Sequence, residues 1–422
     1  MRILIISAEV WRDNTNGGNV LSSIFRNSKN TFFQIYCNPG KPENDICQNY
    51  LQITESTALK SLFKRKDPFY AFSLENKLTN HPIESDKLKT RFKSFKTPIF
   101  YLAREVLFSS ARWKKSFALH EFIKKANPDI IFAPSYASPF LLKLASYIAN
   151  LTKKHVVSYV SDDNYSLKQI SISPFYWMNR FWIRSMTRRF YKKVDLMYTM
   201  TESQKNELHS DFPYLRVKIL TKDALSLPVL HSEYRVNNPR FIYAGGIYLK
   251  RYNNLIYIQK ILNTLYDGKA HIDIFTDCSS KAIMKKLEKS GCKVHCTIAY
   301  DELCKEYQRH DVAIHTESFN KKYAFKTRLS FSTKIIDCMA SGCALIAFLP
   351  KNNAGLSFLN KNKLGFCSST KADLFKTLDF LKNHQNSIAE CASSLVDYCK
   401  ENHWAIRSSE IIETDFKELL NR

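Results

Sequence analysis

A chain of 422 residues with 45% hydrophobic and 24% charged side chains is too long for one ordinary core and too apolar for a disordered tail, so two globular domains are expected. Its 63 Lys and Arg against 39 Asp and Glu give a formal net charge of +24, which suits nucleic acid, anionic lipid or phosphorylated substrates as partners. No run of about 18 apolar residues occurs, which excludes an expected spanning helix. Met1-Arg2 leads through ILII into polar residues, so no signal peptide is expected. The 11 cysteines show no framework of short spacings and read as free thiols of a reducing cytoplasm. Cys292, His295 and Cys296 form the one local cluster with metal-ligating types, and its strand-like setting favours a structural role.

Only 10 glycines are present, and half of them fall in loops that matter below: Gly17, Gly18, Gly245, Gly246 and Gly342. The opening RILIISAEV reads as a buried parallel strand, followed by Asn16-Gly17-Gly18-Asn19 and a helix-like VLSSIF. Strand, glycine loop and helix let backbone N–H groups face a phosphate, although the spacing is not that of a dinucleotide fingerprint. From Lys60 to Lys125 there are 16 Lys or Arg against 6 Asp or Glu, which fits either a solvated basic face or a membrane-facing or acceptor-binding insertion. Strands are then expected over Asp129 to Ala133 and over HVVSYV, the latter ending in Ser161-Asp162-Asp163. Carboxylates beyond the carboxyl end of a parallel strand stand where ligands gather, and they are also common helix caps.

The segment YWMNRFWIRSMTRRFYKKVD carries Met178, Trp182, Met186 and Phe190 at four-residue intervals, and Arg180, Arg184, Arg188 and Lys192 likewise. The two rows lie about 200° apart on a helix. Such a helix suits an anionic membrane interface over 176–193, or packs its aromatic row into the core.

Patterning fails in LSLPVLHSEYRVNNP, so the chain divides into a first domain over 1–225, a linker over 226–239 and a second domain over 240–405, with a closing helix over 406–422. The second domain repeats the first: the strand RFIYA, then Gly245-Gly246, then NNLIYIQKILNTL, with Lys250 and Arg251 between loop and helix. Alternating strands and helices follow, among them DVAIHTE, SFSTKIIDCMASG and CALIAFLP, which predicts an α/β fold with a parallel sheet.

With two such halves the sequence resembles the family 4 glycosyltransferases, whose GT-B architecture has two Rossmann-like domains with parallel sheets facing across a cleft. The motif carrying the resemblance is SFSTKIIDCMASGCALIA, where Asp337 takes the place of the second glutamate of the family's E-x7-E pattern; the first falls on Leu329. FIYAGGIYLKR is similar to the family's diphosphate-binding loop. The resemblance implies that Gly245, Gly246, Lys250, Arg251, Ser332, Thr333, Lys334 and Asp337 hold a nucleotide-diphosphate sugar, with Gly17 and Gly18 approaching its phosphates.

Glu317 is expected to substitute for the missing glutamate, and where the family often places a histidine after the strand HVVSYV this chain has Asp162 and Asp163, whose carboxylates are expected as catalytic groups that act as base or oppose positive charge at the anomeric carbon. Transfer is expected to retain anomeric configuration and to need no metal and no cofactor, because cations and backbone N–H groups can stabilise the leaving diphosphate. The acceptor is expected to be a saccharide or lipid-linked glycan of cell-surface polysaccharide assembly at the inner membrane face, and no nucleic acid is expected as partner. A non-catalytic membrane- or polyanion-binding protein on this fold, or a nucleotide-sugar epimerase, would share these features.

Overall fold

The computed structural model describes residues 1–13, 16–63, 66–74, 97–235, 237–384 and 386–422. Much of the expected basic insertion over 60–125 therefore lies outside the described residues. The chain forms two compact units: Met1–Met200, Gln204–Leu220 and Ser408–Arg422 make the first, and Thr201–Ser203 with Thr221–Arg407 make the second.

In the first unit eight strands make one sheet: β1 (Arg2–Ser7), β2 (Thr31–Tyr36), β3 (Asn49–Gln52), β4 (Tyr70–Ser73), β5 (Ile130–Phe132), β6 (His155–Val160), β7 (Leu196–Thr199) and β8 (Val217–Ile219), in the order β4-β3-β2-β1-β5-β6-β7-β8. Among the described residues only β3 and β4 pair antiparallel, at one edge. The central strand β1 is apolar on both faces, as a parallel strand covered by helices must be, and Ile3, Leu4 and Ile5 are wholly buried. Trp11, Phe25, Phe32 and Phe132 form an aromatic cluster under one face, and Phe416 of the terminal helix Arg407–Leu420 joins it. Tyr198 Oη donates to Asp415 at 2.6 Å and Ser28 Oγ to Glu413 at 2.8 Å. The expected closing helix thus packs as part of the first unit.

The second unit has six parallel strands: β9 (Phe241–Ala244), β10 (Ile272–Thr276), β11 (Lys293–Cys296), β12 (Val312–Thr316), β13 (Ala344–Phe348) and β14 (Phe366–Ser368), ordered β11-β10-β9-β12-β13-β14. Strand order reverses between β9 and β12, and in such sheets ligands bind beyond the carboxyl ends at this reversal. Residues 221–235, mostly assigned to a linker by their lack of pattern, are bonded within this unit: Ala224 N donates to His403 O at 2.6 Å, Tyr234 Oη to Gly342 O at 2.7 Å, and Arg235 N to Asp311 at 3.0 Å. Gly342, at φ +79°, makes this packing possible, since a Cβ there would lie 2.4 Å from Val229 O.

Candidate functional site

Beyond β9 the chain turns through Gly245, whose φ of +132° lies where L side chains are strained. The side chain of Lys334, first residue of the helix Lys334–Ala340, covers this glycine so closely that a Cβ on residue 245 would fall 1.6 Å from Lys334 Nζ. Tyr243 supports the arrangement: its hydroxyl donates to Gly246 O at 2.9 Å, and Lys334 Nζ lies 5.6 Å from its ring centroid. The loop then passes through Leu249 and Lys250, two consecutive non-glycine residues at φ +58° and +66°, before entering the helix Tyr252–Leu265. Lys250 points to solvent, whereas Arg251 turns back, with Nη1 donating to Gly246 O at 3.3 Å.

At the end of β12 stands Glu317, buried, and Arg251 grips it through Nε at 2.9 Å and Nη2 at 2.6 and 2.7 Å. Asn254 fixes the strand end by donating to Thr316 Oγ1 at 2.8 Å and Glu317 O at 2.7 Å. The reversal point of the sheet therefore holds two cations and one carboxylate around a glycine pair. Burial lowers the pKa of Lys334, Arg251 lowers it further, and Glu317 opposes both. Beneath them burial, together with Lys334 and Arg251, drives buried His315 on β12 down to about 3, so its ring is neutral at pH 7. A partly desolvated ammonium beside a guanidinium is well suited to an anion whose charge grows during reaction.

Ser332 and Thr333 form the turn that opens the helix Lys334–Ala340: Ile335 N donates to Ser332 O at 3.0 Å and Ile336 N to Thr333 O at 3.1 Å. One turn on, Asp337 meets Lys222, whose Nζ donates to Oδ1 at 2.7 Å, and Tyr300 Oη lies 3.4 Å from the same oxygen. Lys222 is only 2% exposed. A cavity of about 30 Å³, lined by Ser226, Tyr300, Cys304 and Asp337 among others, adjoins the pair. Lys334, three residues earlier on the same helix, faces the glycine loop. Lys222, Tyr243, Asn254 and His315 carried no sequence signal, because each is defined only by what the fold brings to it. Leu329, at the position of the family's first glutamate, is buried.

In the first unit the loop after β6 places Asp162 exposed and Asp163 buried. Asp163, expected as a catalytic carboxylate, anchors its own loop. It meets Arg180 Nη2 at 3.2 Å, accepts from Ser166 N at 2.8 Å, and also accepts from the Ser166 hydroxyl. Arg184 lies 4.1 Å over the Tyr165 ring and donates to Tyr165 O at 2.6 Å, and Arg188 Nε donates to Tyr165 Oη at 2.7 Å. Arg180 and Arg184 of the cationic row of the helix Pro174–Tyr191 thus turn inward onto the 163–166 loop, while Arg188 reaches the Tyr165 hydroxyl from the surface and Lys192 is exposed. In its aromatic row Phe190 is buried while Met178 is 58% exposed. Periodicity separated the two rows but could not say which one met the protein. Of the glycine pair at the start, Gly17 and Gly18 lie inside the first helix, Asn16–Ile24; a Cβ on Gly18 would lie 1.9 Å from Arg12 O, so that glycine serves close backbone packing.

His295, read from sequence beside Cys292 and Cys296, is bonded to Asp273 at 2.7 Å, and His310 and His271 approach the same carboxylate at 3.2 and 3.3 Å. Burial raises the Asp273 pKa, but hydrogen bonds from His310 and His295 outweigh it and hold the group at about 2. Among the described residues no group of three or more His, Cys, Asp or Glu could hold a metal ion. All eleven cysteines are free, and no described helix is long and apolar enough to cross a membrane.

No family model and no curated protein matches the chain. Solved structures match along its whole length. The crystal structure of TarM superposes with a TM-score of 0.62 at 12% identity, covering 100% of this chain and 99% of its own. A structure described as trehalose-6-phosphate from E. coli bound with UDP-2-fluoro glucose gives 0.61 at 11%, covering 99% of each chain. Sucrose-phosphate synthase from Thermosynechococcus elongatus gives 0.59 at 10%, covering 100% of each. Likeness over the full length at such low identity establishes the fold, and the fold of this chain is GT-B.

Proposed function

We propose that the protein is a glycosyltransferase that moves a sugar from a nucleotide-diphosphate donor to a saccharide or lipid-linked acceptor. The observation that carries this reading is the placement of Arg251 and Lys334 on the Gly245-Gly246 loop, at the point where strand order reverses. Names of the structural neighbours, among them one bound to UDP-2-fluoro glucose and a sucrose-phosphate synthase, support the same chemistry. In this reading Arg251, Lys334 and the backbone around Ser332 and Thr333 receive the diphosphate, with Gly246 allowing close approach and Lys250 adding charge at the rim. As the glycosidic bond to the leaving phosphate lengthens, negative charge builds on the diphosphate, and fixed cations stabilise it without a metal.

Glu317, held by Arg251, is the carboxylate available to oppose positive charge at the anomeric carbon, and Asp162 at the end of β6 is the acceptor-side candidate. In this reading Asp337 takes the ribose hydroxyls, and its contact with Lys222 supports a fixed carboxylate. Retention of configuration, and an acceptor belonging to cell-surface polysaccharide assembly at an anionic membrane, complete the proposal.

Buried Leu329 favours a second reading, a protein that kept the fold and lost the reaction. Calorimetric titration with UDP and GDP, followed by a panel of nucleotide-sugars read by hydrolysis or transfer, separates the two. Saturable binding that Arg251→Ala and Lys334→Ala abolish, together with turnover of one donor, is expected. Absence of any saturable nucleotide binding would sink the reading as a transferase.

A further inference from the structure

The helix Pro174–Tyr191 and the loop before it expose six large apolar side chains within fifteen residues: Leu167, Ile170, Ile172, Phe175, Met178 and Phe181. Ile172 is fully exposed, and Phe181 is 57% exposed on a helix whose other side buries Ile183, Thr187 and Phe190. Monomeric proteins leave single apolar side chains in water routinely, but a succession along one element marks a contact surface.

The exposed face of this helix changes character along its length. Phe175, Met178 and Phe181 occupy its first half, while Arg188 and Arg189 occupy its last turn, with Lys192 just beyond. At 1.5 Å per residue the apolar positions span about 9 Å, and the cations begin roughly 10 Å further along. From Tyr165 to Lys193 the chain carries seven Lys or Arg and no Asp or Glu. Arg180 and Arg184 are turned inward onto Asp163 and Tyr165, so Arg189 and Lys192 carry the outward charge of the helix end.

We propose that this face docks on an anionic lipid surface: Ile172, Phe175, Met178 and Phe181 enter the boundary between headgroups and acyl chains, and Arg189 and Lys192 meet the headgroup phosphates. Charge complementarity selects this occupant, because a stretch with no carboxylate and outward cations matches a negative surface, and an apolar front followed by cations matches the sequence of layers met on entering a bilayer. The proposal deepens the acceptor side of the transferase reading by placing the first unit where lipid-linked acceptors reside. It differs from the amphipathic arrangement expected from sequence: Arg180 and Arg184 of the cationic row turn inward, Phe190 of the aromatic row is buried, and Ile172, Phe175 and Phe181 join Met178 at the surface.

The test is sedimentation of the full chain with vesicles of phosphatidylcholine alone and of phosphatidylcholine with an equal part of phosphatidylglycerol, with UDP titrated calorimetrically into the same samples. Binding to the anionic vesicles, weakened by salt and near absent on phosphatidylcholine, is expected. Ile172→Ser combined with Phe175→Ser and Met178→Ser should weaken it by about tenfold or more, as should Arg189→Glu with Lys192→Glu, while UDP affinity stays unchanged. Vesicle binding that the serine variant retains in full overturns the proposal, as does a concentration-dependent dimer, without lipid, that the serine variant abolishes. Vesicle binding with this mutational pattern but without UDP binding upholds the docking surface and removes the transferase reading instead.

Discussion

The guanidinium of Arg251 and the carboxylate of Glu317 meet through three contacts of 2.6 to 2.9 Å, tying the helix after β9 to the end of β12. The pair bridges the two strands at which sheet order reverses: Glu317 follows β12 directly, and Arg251 is presented by the loop after β9 at the N-terminus of the helix Tyr252–Leu265. Arg251→Ala removes a bidentate partner from a buried carboxylate, and hydrogen bonds to charged groups contribute about 1.5–3 kcal/mol. UDP affinity should fall at least about tenfold. Glu317→Gln retains one acceptor for the guanidinium, so UDP affinity should change by less than about threefold while transfer falls steeply. Calorimetry and a transfer assay on both variants check the pair; equal losses of affinity in the two would show that Glu317 only positions Arg251.

Gly245→Ala should cost both stability and nucleotide binding. Its Cβ would stand 1.6 Å from Lys334 Nζ, and φ of +132° is strained for any L side chain. Lys334 would have to leave the loop, removing one of the two cations. A loss of about 1–3 kcal/mol in urea unfolding, accompanied by loss of UDP binding, is expected. Gly246→Ala meets the Tyr248 ring at 2.8 Å, an exposed side chain that can turn, and Asp277 Oδ1 at an ordinary 3.8 Å, so its melting temperature should stay near the parent's. If Gly245→Ala bound UDP like the parent, Lys334 would have no part in the site.

Legibility from sequence divides along physical lines. Strand, glycine pair and helix are local patterns with fixed periods, and both copies of the early strand, RILIIS and FIYA, lie where hydrophobic runs place them. Arg251 between loop and helix and Glu317 at a strand end were visible as residue types, but they meet across 66 residues and no spacing encodes their union. Lys222 was invisible for the same reason, standing 115 residues from Asp337. Asp162 and Asp163 look equivalent on paper; only Arg180, reaching back from the next helix, separates a buried anchor from an exposed carboxylate. Close packing of Gly18 on the Arg12 backbone leaves no trace in sequence.

The Lys222–Asp337 pair offers a test of whether Asp337 is ligand-facing or structural. Lys222 is almost wholly buried while Asp337 keeps some exposure, so removing the lysine leaves a carboxylate that water can still reach in part. Lys222→Met should destabilise by about 1–3 kcal/mol and weaken UDP binding severalfold by loosening Asp337. Asp337→Asn leaves a buried ammonium with a weaker partner and should be the more damaging to stability. A double-mutant cycle read by urea unfolding and by UDP affinity decides the matter: coupling in stability alone would make the pair purely structural.

Acid should destabilise the second unit between about pH 6.5 and 3. His315 and His403 are held at about 3 and about 4, against an ordinary value of 6.5. Burial is the main cause for both, reinforced by Lys334 and Arg251 at His315 and by Arg407 at His403. When the folded pKa lies below the unfolded one, the unfolded chain takes up protons first, so stability is fully present above 6.5 and is lost as pH falls toward the folded value. At pH 5 each ring is about 1.5 units below its unfolded pKa, which at 1.36 kcal/mol per unit is about 2 kcal/mol per histidine. Asp273, at about 2, loses its contribution only below its ordinary value of 3.8 and does not enter this window. Glu105 in the first unit, raised by burial, acts in the opposite sense as it protonates, so the bare slope of the whole chain is a poor readout. Urea unfolding at pH 7 and pH 5, followed by a probe in the second unit, should therefore be compared among parent, His315→Gln and His403→Gln. Each substitution should remove a distinct share of the acid-induced loss, with His231 and His271, which burial also lowers, carrying part of the rest; slopes parallel to the parent's would mean that neither ring is buried neutral.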